Sequence, residues 1–171
     1  MKHLHRVTLI VLLVSAVSAS WVAPSHACSP GSIPTPAELV ARADAIYLAK
    51  ANDYVVPLSE RAPGVAPMVE FSIVATFKGE ATSSLRFAAA LTGHDDFNDE
   101  NVPYSFVRPS GRRGNCYAVT YRSGAYYLLF IKSGTPYWAP LAPTNEQVRS
   151  RSDPWVAWVK SATSGVATQP N

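Results

Sequence analysis

Gly114-Asn115-Cys116-Tyr117-Ala118-Val119-Thr120-Tyr121-Arg122-Ser123-Gly124-Ala125-Tyr126-Tyr127-Leu128-Leu129-Phe130-Ile131 is the stretch around which the chain is organised. Its second half, 126–131, is the most strand-like run in the sequence: aromatic and aliphatic residues directly after a Ser-Gly turn. Its first half carries Cys116, and the only other cysteine is Cys28. A bond between the two would tie the front of the domain to its middle.

The chain in front of Cys28 reads as a targeting segment. Lys2, His3, His5 and Arg6 make a positive start, an apolar run follows from Val7, and small residues come next. That is the layout of a secretory signal peptide. The run of about 11 residues is too short for a bilayer span, which takes about 20. Cleavage after Ala19 or after Ala27 fits equally small residues. Lipidation of Cys28 is a third reading, opposed by Ser25, which stands where a lipoprotein signal carries a larger aliphatic residue. We expect signal peptide 1–27, a domain over 28–145, a C-terminal helical segment over 146–163 packed on it, and a flexible tail over 164–171. The protein is expected outside the cytoplasm, in the periplasm or beyond the cell. In such a compartment two cysteines most simply form one disulfide, the alternative being two free thiols.

Of 171 residues, 15 are basic and 12 acidic. The signal segment holds two of the basic residues and none of the acidic ones, so the remainder carries a net charge of +1. No basic stripe remains to bind nucleic acid or an anionic membrane. Only His94 survives of the four histidines.

The order of elements is legible. Thr35-Pro36-Ala37-Glu38 is a capping box with proline at the first helical position, predicting a helix over about 36–43. Strands are predicted at 45–51, at 68–78, where Val69, Phe71, Ile73, Ala75 and Phe77 alternate with wetter positions, and at 85–91. Residues 52–67, with three prolines and a glycine, read as a loop or irregular hairpin arm. Residues 92–115 form the longest polar loop. Strands follow at 116–121, 125–132 and, interrupted by Pro140, 137–141. Asp153-Pro154 starts a last helix over about 154–162, with Trp155, Trp158 and Val159 on one face. This pattern is a β-rich domain with two short helices.

The succession of Cys28 and Pro30, then Arg42-Ala43-Asp44-Ala45-Ile46-Tyr47-Leu48-Ala49-Lys50, then Phe71 to Gly79, Cys116, Tyr121, Gly124 and Tyr127-Leu128-Leu129-Phe130 resembles the netrin-like family. Its best-known members are the tissue inhibitors of metalloproteinases; bacterial exported relatives of unassigned role look most similar. The resemblance spans about 28–141. It implies a mainly β fold: a five-stranded OB-type barrel with a short N-terminal helix, a C-terminal helix packed on it, and a Cys28–Cys116 link. In the inhibitors, the amino group and carbonyl of the first cysteine chelate the zinc of the target protease. By resemblance, Cys28, Ser29 and Pro30 form a candidate inhibitory N-terminus, chemistry that suits an open position on a catalytic zinc. The inhibitors carry Cys-x-Cys where this chain has Cys28-Ser29-Pro30.

The loop 92–115 holds the remaining candidates: His94, Asp95, Asp96, Asp99, Glu100, Arg112 and Arg113. Its carboxylates suit calcium, but counting from Asp96 an EF-hand would need glycine at Asn101 and glutamate at Val107. The alternative is pairing of the acidic start with Arg108, Arg112 and Arg113. No Gly-x-Ser-x-Gly accompanies His94, and no catalytic constellation is present. Tyr117, Tyr121, Tyr126 and Tyr127 read as core and cross-strand residues. The expectation is therefore a binding or interaction module without enzymatic activity or cofactor, for a protein or small ligand. A metalloprotease inhibitor and a structural piece of an envelope assembly are the alternatives.

Overall fold

The computed structural model describes Cys28 and residues 30–165; the expected signal segment with its cleavage sites, Ser29 and the tail residues 166–171 lie outside the described residues. Helix α1 spans Pro36–Arg42, with the expected capping box: Thr35 Oγ1 accepts from the Glu38 amide, and Glu38 Oε2 accepts from the Thr35 amide at 2.8 Å. Leu39 and Val40 are its buried face.

Strand β1, Ala45–Tyr54, is the centre of the sheet. It pairs antiparallel with β2, Met68–Lys78, on one side and with β6, Tyr126–Lys132, on the other. Its nearly continuous apolar sequence follows from burial on both faces. Ile46 and Leu48 point to one core with α1 and the C-terminal helix; Tyr47, Ala49 and Ala51 point to a second core with Phe71, Phe87 and Tyr121. Strand β3, Ser84–Ala88, pairs with the first half of β2.

The expected strand 85–91 is two strands. After Ala88 the chain changes partner, and β4, Ala90–Thr92, runs parallel to β5, Thr120–Arg122. Side-chain alternation continues across the break, so a periodicity reading cannot show it. The expected strand 116–121 shrinks to β5, since Cys116 has φ 62° and cannot continue a strand. A strand at 137–141 is not formed. Instead β7, Thr135–Pro136, and β8, Asn145–Val148, both pair with β6. Prolines at 136, 140 and 143 break the intervening segment.

Helix α2, Pro109–Arg112, lies within the long loop, and helix α3, Pro154–Ser164, closes the described chain. Asp153 caps α3 by accepting from the Trp155 amide at 2.9 Å. Trp155 is fully buried and stacks on Trp158 at 4.7 Å. Tyr121 and Tyr127 are core residues, whereas Tyr117 and Tyr126 are only half-buried. The fold is mainly β. Its main sheet runs β3-β2-β1-β6 with β7 and β8 beyond, an open path in which, among the described residues, no pairing joins β3 to β8.

Candidate functional site

Strand β8 reads Asn145-Glu146-Gln147-Val148; residues 146–148 were expected in the C-terminal helical segment, but they pair with β6, and all four residues, three of them polar, are buried. The side chains of Glu146 and Gln147 hold pieces of the loop 92–115, and that of Asn145 holds the segment just after it. Gln147 Oε1 accepts from the Asp96 amide at 2.7 Å, and its Nε2 donates to Asp95 at 2.6 Å. Glu146 accepts from Asn98 Nδ2 at 3.0 Å and from the Arg108 amide at 3.2 Å. Asn145 Nδ2 donates to the Ala118 carbonyl at 2.8 Å and to the Tyr121 hydroxyl at 2.6 Å. The loop thus covers the free edge of β8, which would otherwise stand open to other chains.

Arg108 is the centre of this arrangement and has no exposed surface. Its Nε donates to the backbone carbonyl of Asn145 in β8, and its Nη2 donates to the carbonyls of Ala118 and Thr120 at β5. Its Nη1 meets Asp96 at 3.0 Å, and its guanidinium lies 5.2 Å from the ring centres of both Tyr121 and Tyr127. A planar fork of donors suits such a task, because it satisfies several fixed acceptors at once. The side chain bridges β5 and β8, two strands that do not pair, and Tyr121 beside it packs on Phe87 of β3 at 5.9 Å. Arginine and tyrosine fill the seam between β3 and β8.

The loop residues singled out from sequence fall into three groups. Asp95 and Asp96 belong to the anchored base: Asp95 also pairs with Arg122, whose hydrogen bond, with that from Gln147, holds its carboxyl below the usual range. Asp96 accepts from the amide and hydroxyl of Ser110. Asp99 and Glu100 pair with Arg112, which lowers the Asp99 carboxyl. His94 and Arg113 are exposed and share an open cleft of about 290 Å³ with Asp95, Asp96 and Ser110. Among the described residues no three His, Cys, Asp or Glu side chains come together as a metal site. The expected pairing of the acidic start of the loop is formed by Arg108 with Asp96 and by Arg112 with Asp99 and Glu100, while Arg113 forms no ion pair among the described residues; what the sequence does not show is that Arg108 makes its pair fully buried. Asn98, Ser110 and the β8 triplet carry no sequence signal, since nothing in a polar triplet announces a buried partner.

Burial pushes the Glu146 carboxyl up to about 7, against the pull of Arg108 and its hydrogen bonds. It is sealed from solvent, so it has no path to a substrate. The assembly is a structural tie.

At the other candidate site, Cys28 is bonded to Cys116, with Cα atoms 5.9 Å apart and 88 positions between them in sequence. The Cys116 carbonyl accepts from the Leu141 amide at 3.0 Å. Next to it Tyr117 packs edge-on against Trp138 at 5.9 Å, and Trp138 is 37% exposed.

A third feature was missed. The connection between β1 and β2, with the first residue of β2, exposes Val55, Val56, Leu58, Val65 and Met68 by 38–53%, five of the nine exposed large hydrophobic residues among those described. Most of them line one groove of about 230 Å³. The signal was present as aliphatic residues inside a proline-containing loop. Compared with known proteins, the chain matches no family model and no curated protein.

Proposed function

We propose that the chain is an exported, disulfide-bonded, netrin-like OB domain that acts as a non-enzymatic binding module for a protein partner. The observation that carries this reading is the apolar arm at 55–68, because contiguous exposed apolar surface on a small domain marks an interaction site. The barrel assignment draws support from the pairing order β3-β2-β1-β6-β8, which contains four of the five neighbour relations of a five-stranded ring. OB barrels are partly open, and here Arg108 and Tyr121 occupy the unpaired seam. The test is chemical crosslinking in the native envelope with the wild-type protein and with V56S/L58S/V65S. A partner captured by the first and lost by the second supports the module. Identical capture by both sinks the arm as the site. A partner recovered in fixed stoichiometry from a stable particle favours the envelope-assembly alternative.

The second reading is a metalloprotease inhibitor acting through the amine and carbonyl of Cys28. The pairing of Cys28 with Cys116 favours it, since a zinc-directed amine must be held rigidly by the domain behind it. It requires cleavage after Ala27. Protein whose mass confirms a start at Cys28 is titrated against a panel of zinc proteases; full residual activity at excess protein eliminates the reading.

A further inference from the structure

We propose that the free edge of β2 at residues 74–78 docks an extended, acidic segment of a partner protein, which adds to the sheet as a further strand. This surface is separate from the arm at 55–68, so either can fail without the other. Strand β3 pairs only with residues 68–72 of β2, and the last backbone bond on that side runs from the Ile73 amide to the Ser83 carbonyl at 2.9 Å. Beyond it β2 continues to Lys78 bonded to β1 alone, through Ala75 opposite Leu48, Thr76 opposite Tyr47 and Lys78 opposite Ile46, with a register shift on either side of the Ala75–Thr76 pair. Among the described residues, the outer backbone groups of this half-strand have no hydrogen-bond partner. Such an edge is a template for strand addition, in which main-chain bonds supply affinity and side-chain pockets supply selectivity.

A pocket also lies along this edge. A groove of about 520 Å³ runs between residues 74–77 and helix α3 and is also lined by Leu48 and Val156. Val74, Ala75 and Phe77 are only half-buried, although they sit in a long strand next to the central one. An added strand would set apolar side chains against Val74, Ala75 and Phe77 and polar ones against the rest of the groove. The charge along the groove sets the class of partner. Lys160 and Arg151 line it, both are exposed, neither forms an ion pair among the described residues, and no carboxylate lines the groove. Carboxylates on the side of the added strand that faces α3 would meet both cations.

A displayed library of random seven-residue peptides, selected on the purified, disulfide-bonded protein, tests this. The enriched peptides are expected to alternate apolar with acidic residues. A bound peptide should slow amide hydrogen exchange within 74–78. The charge reversals K160E and R151E, both at exposed positions, should together weaken binding at least tenfold. Methylating alternate peptide amides should abolish it. The proposal is overturned if no peptide is enriched, if affinity survives the double reversal, or if protection appears elsewhere, such as 55–68. It is also overturned if decanoate fills the groove and competes with the peptide while the 74–78 amides exchange at their free rate. That result would mark a site for anionic amphiphiles.

Discussion

Replacing Arg108 with methionine tests the tie between the long loop and β8. Methionine refills most of the volume, so the transfer and cavity contribution is small. The polar loss is large. Asp96 keeps its bonds from Ser110 and the Ala118 carbonyl keeps Asn145 Nδ2, but the Asn145 and Thr120 carbonyls each lose the arginine donor, and the Asp96 carboxylate loses its cation. Breaking one side of a buried ion pair costs about 3–5 kcal/mol. A domain of this size has a stability of about 5–15 kcal/mol, so R108M remains folded but weakened. With a urea m-value near 2 kcal/mol/M, the midpoint falls by about 2 M. Urea unfolding of the oxidised protein, followed by tryptophan fluorescence and near-ultraviolet circular dichroism, measures it. In the double variant R108M/D96N the orphaned charge is gone, so part of the loss returns, about 1–2 kcal/mol in the coupling. A loss below about 1 kcal/mol in R108M, or strict additivity of the two changes, refutes the reasoning.

Stability should fall as pH rises from 4.5 to about 7, because Glu146 binds its proton more tightly folded than unfolded. The contribution is fully present below the unfolded value and lost above the folded one, about 3 kcal/mol in all. The lowered Asp95 and Asp99 act in the opposite sense only under more acid conditions. In E146Q the slope across this window should vanish in denaturation curves taken from pH 4.5 to 8; an unchanged slope refutes the assignment. Replacing both Cys28 and Cys116 with serine releases a loop of 88 residues and should cost at most about 4–5 kcal/mol, read from the thermal midpoint. Gly79→Ala should cost at least about 1 kcal/mol by denaturant titration, since Gly79 has φ +84° and a Cβ there would lie 2.6 Å from the Ala45 Cβ.

Much of the scaffold was legible in the sequence. The capping box of α1, the Asp153-Pro154 start of α3, the strands around Ile46, Phe71 and Leu128, and the disulfide all rest on local chemistry or on a two-cysteine count, which a linear reading can use. The mainly β class follows from those elements. Tertiary structure alone decided the rest. Whether Leu91 continues β3 or joins β5 depends on a partner 30 positions away. Glu146 and Gln147 sit in a buried strand because Asn98, Arg108, Asp95 and Asp96 arrive to satisfy them, as Ala118 and Tyr121 do for the amide of Asn145, and the same polar letters without those partners would stay in water. Arg108 looks like any surface arginine until three backbone carbonyls converge on it. Propensity and periodicity are carried by neighbours in sequence, whereas the burial of a charge is set by which distant groups the fold brings to meet it.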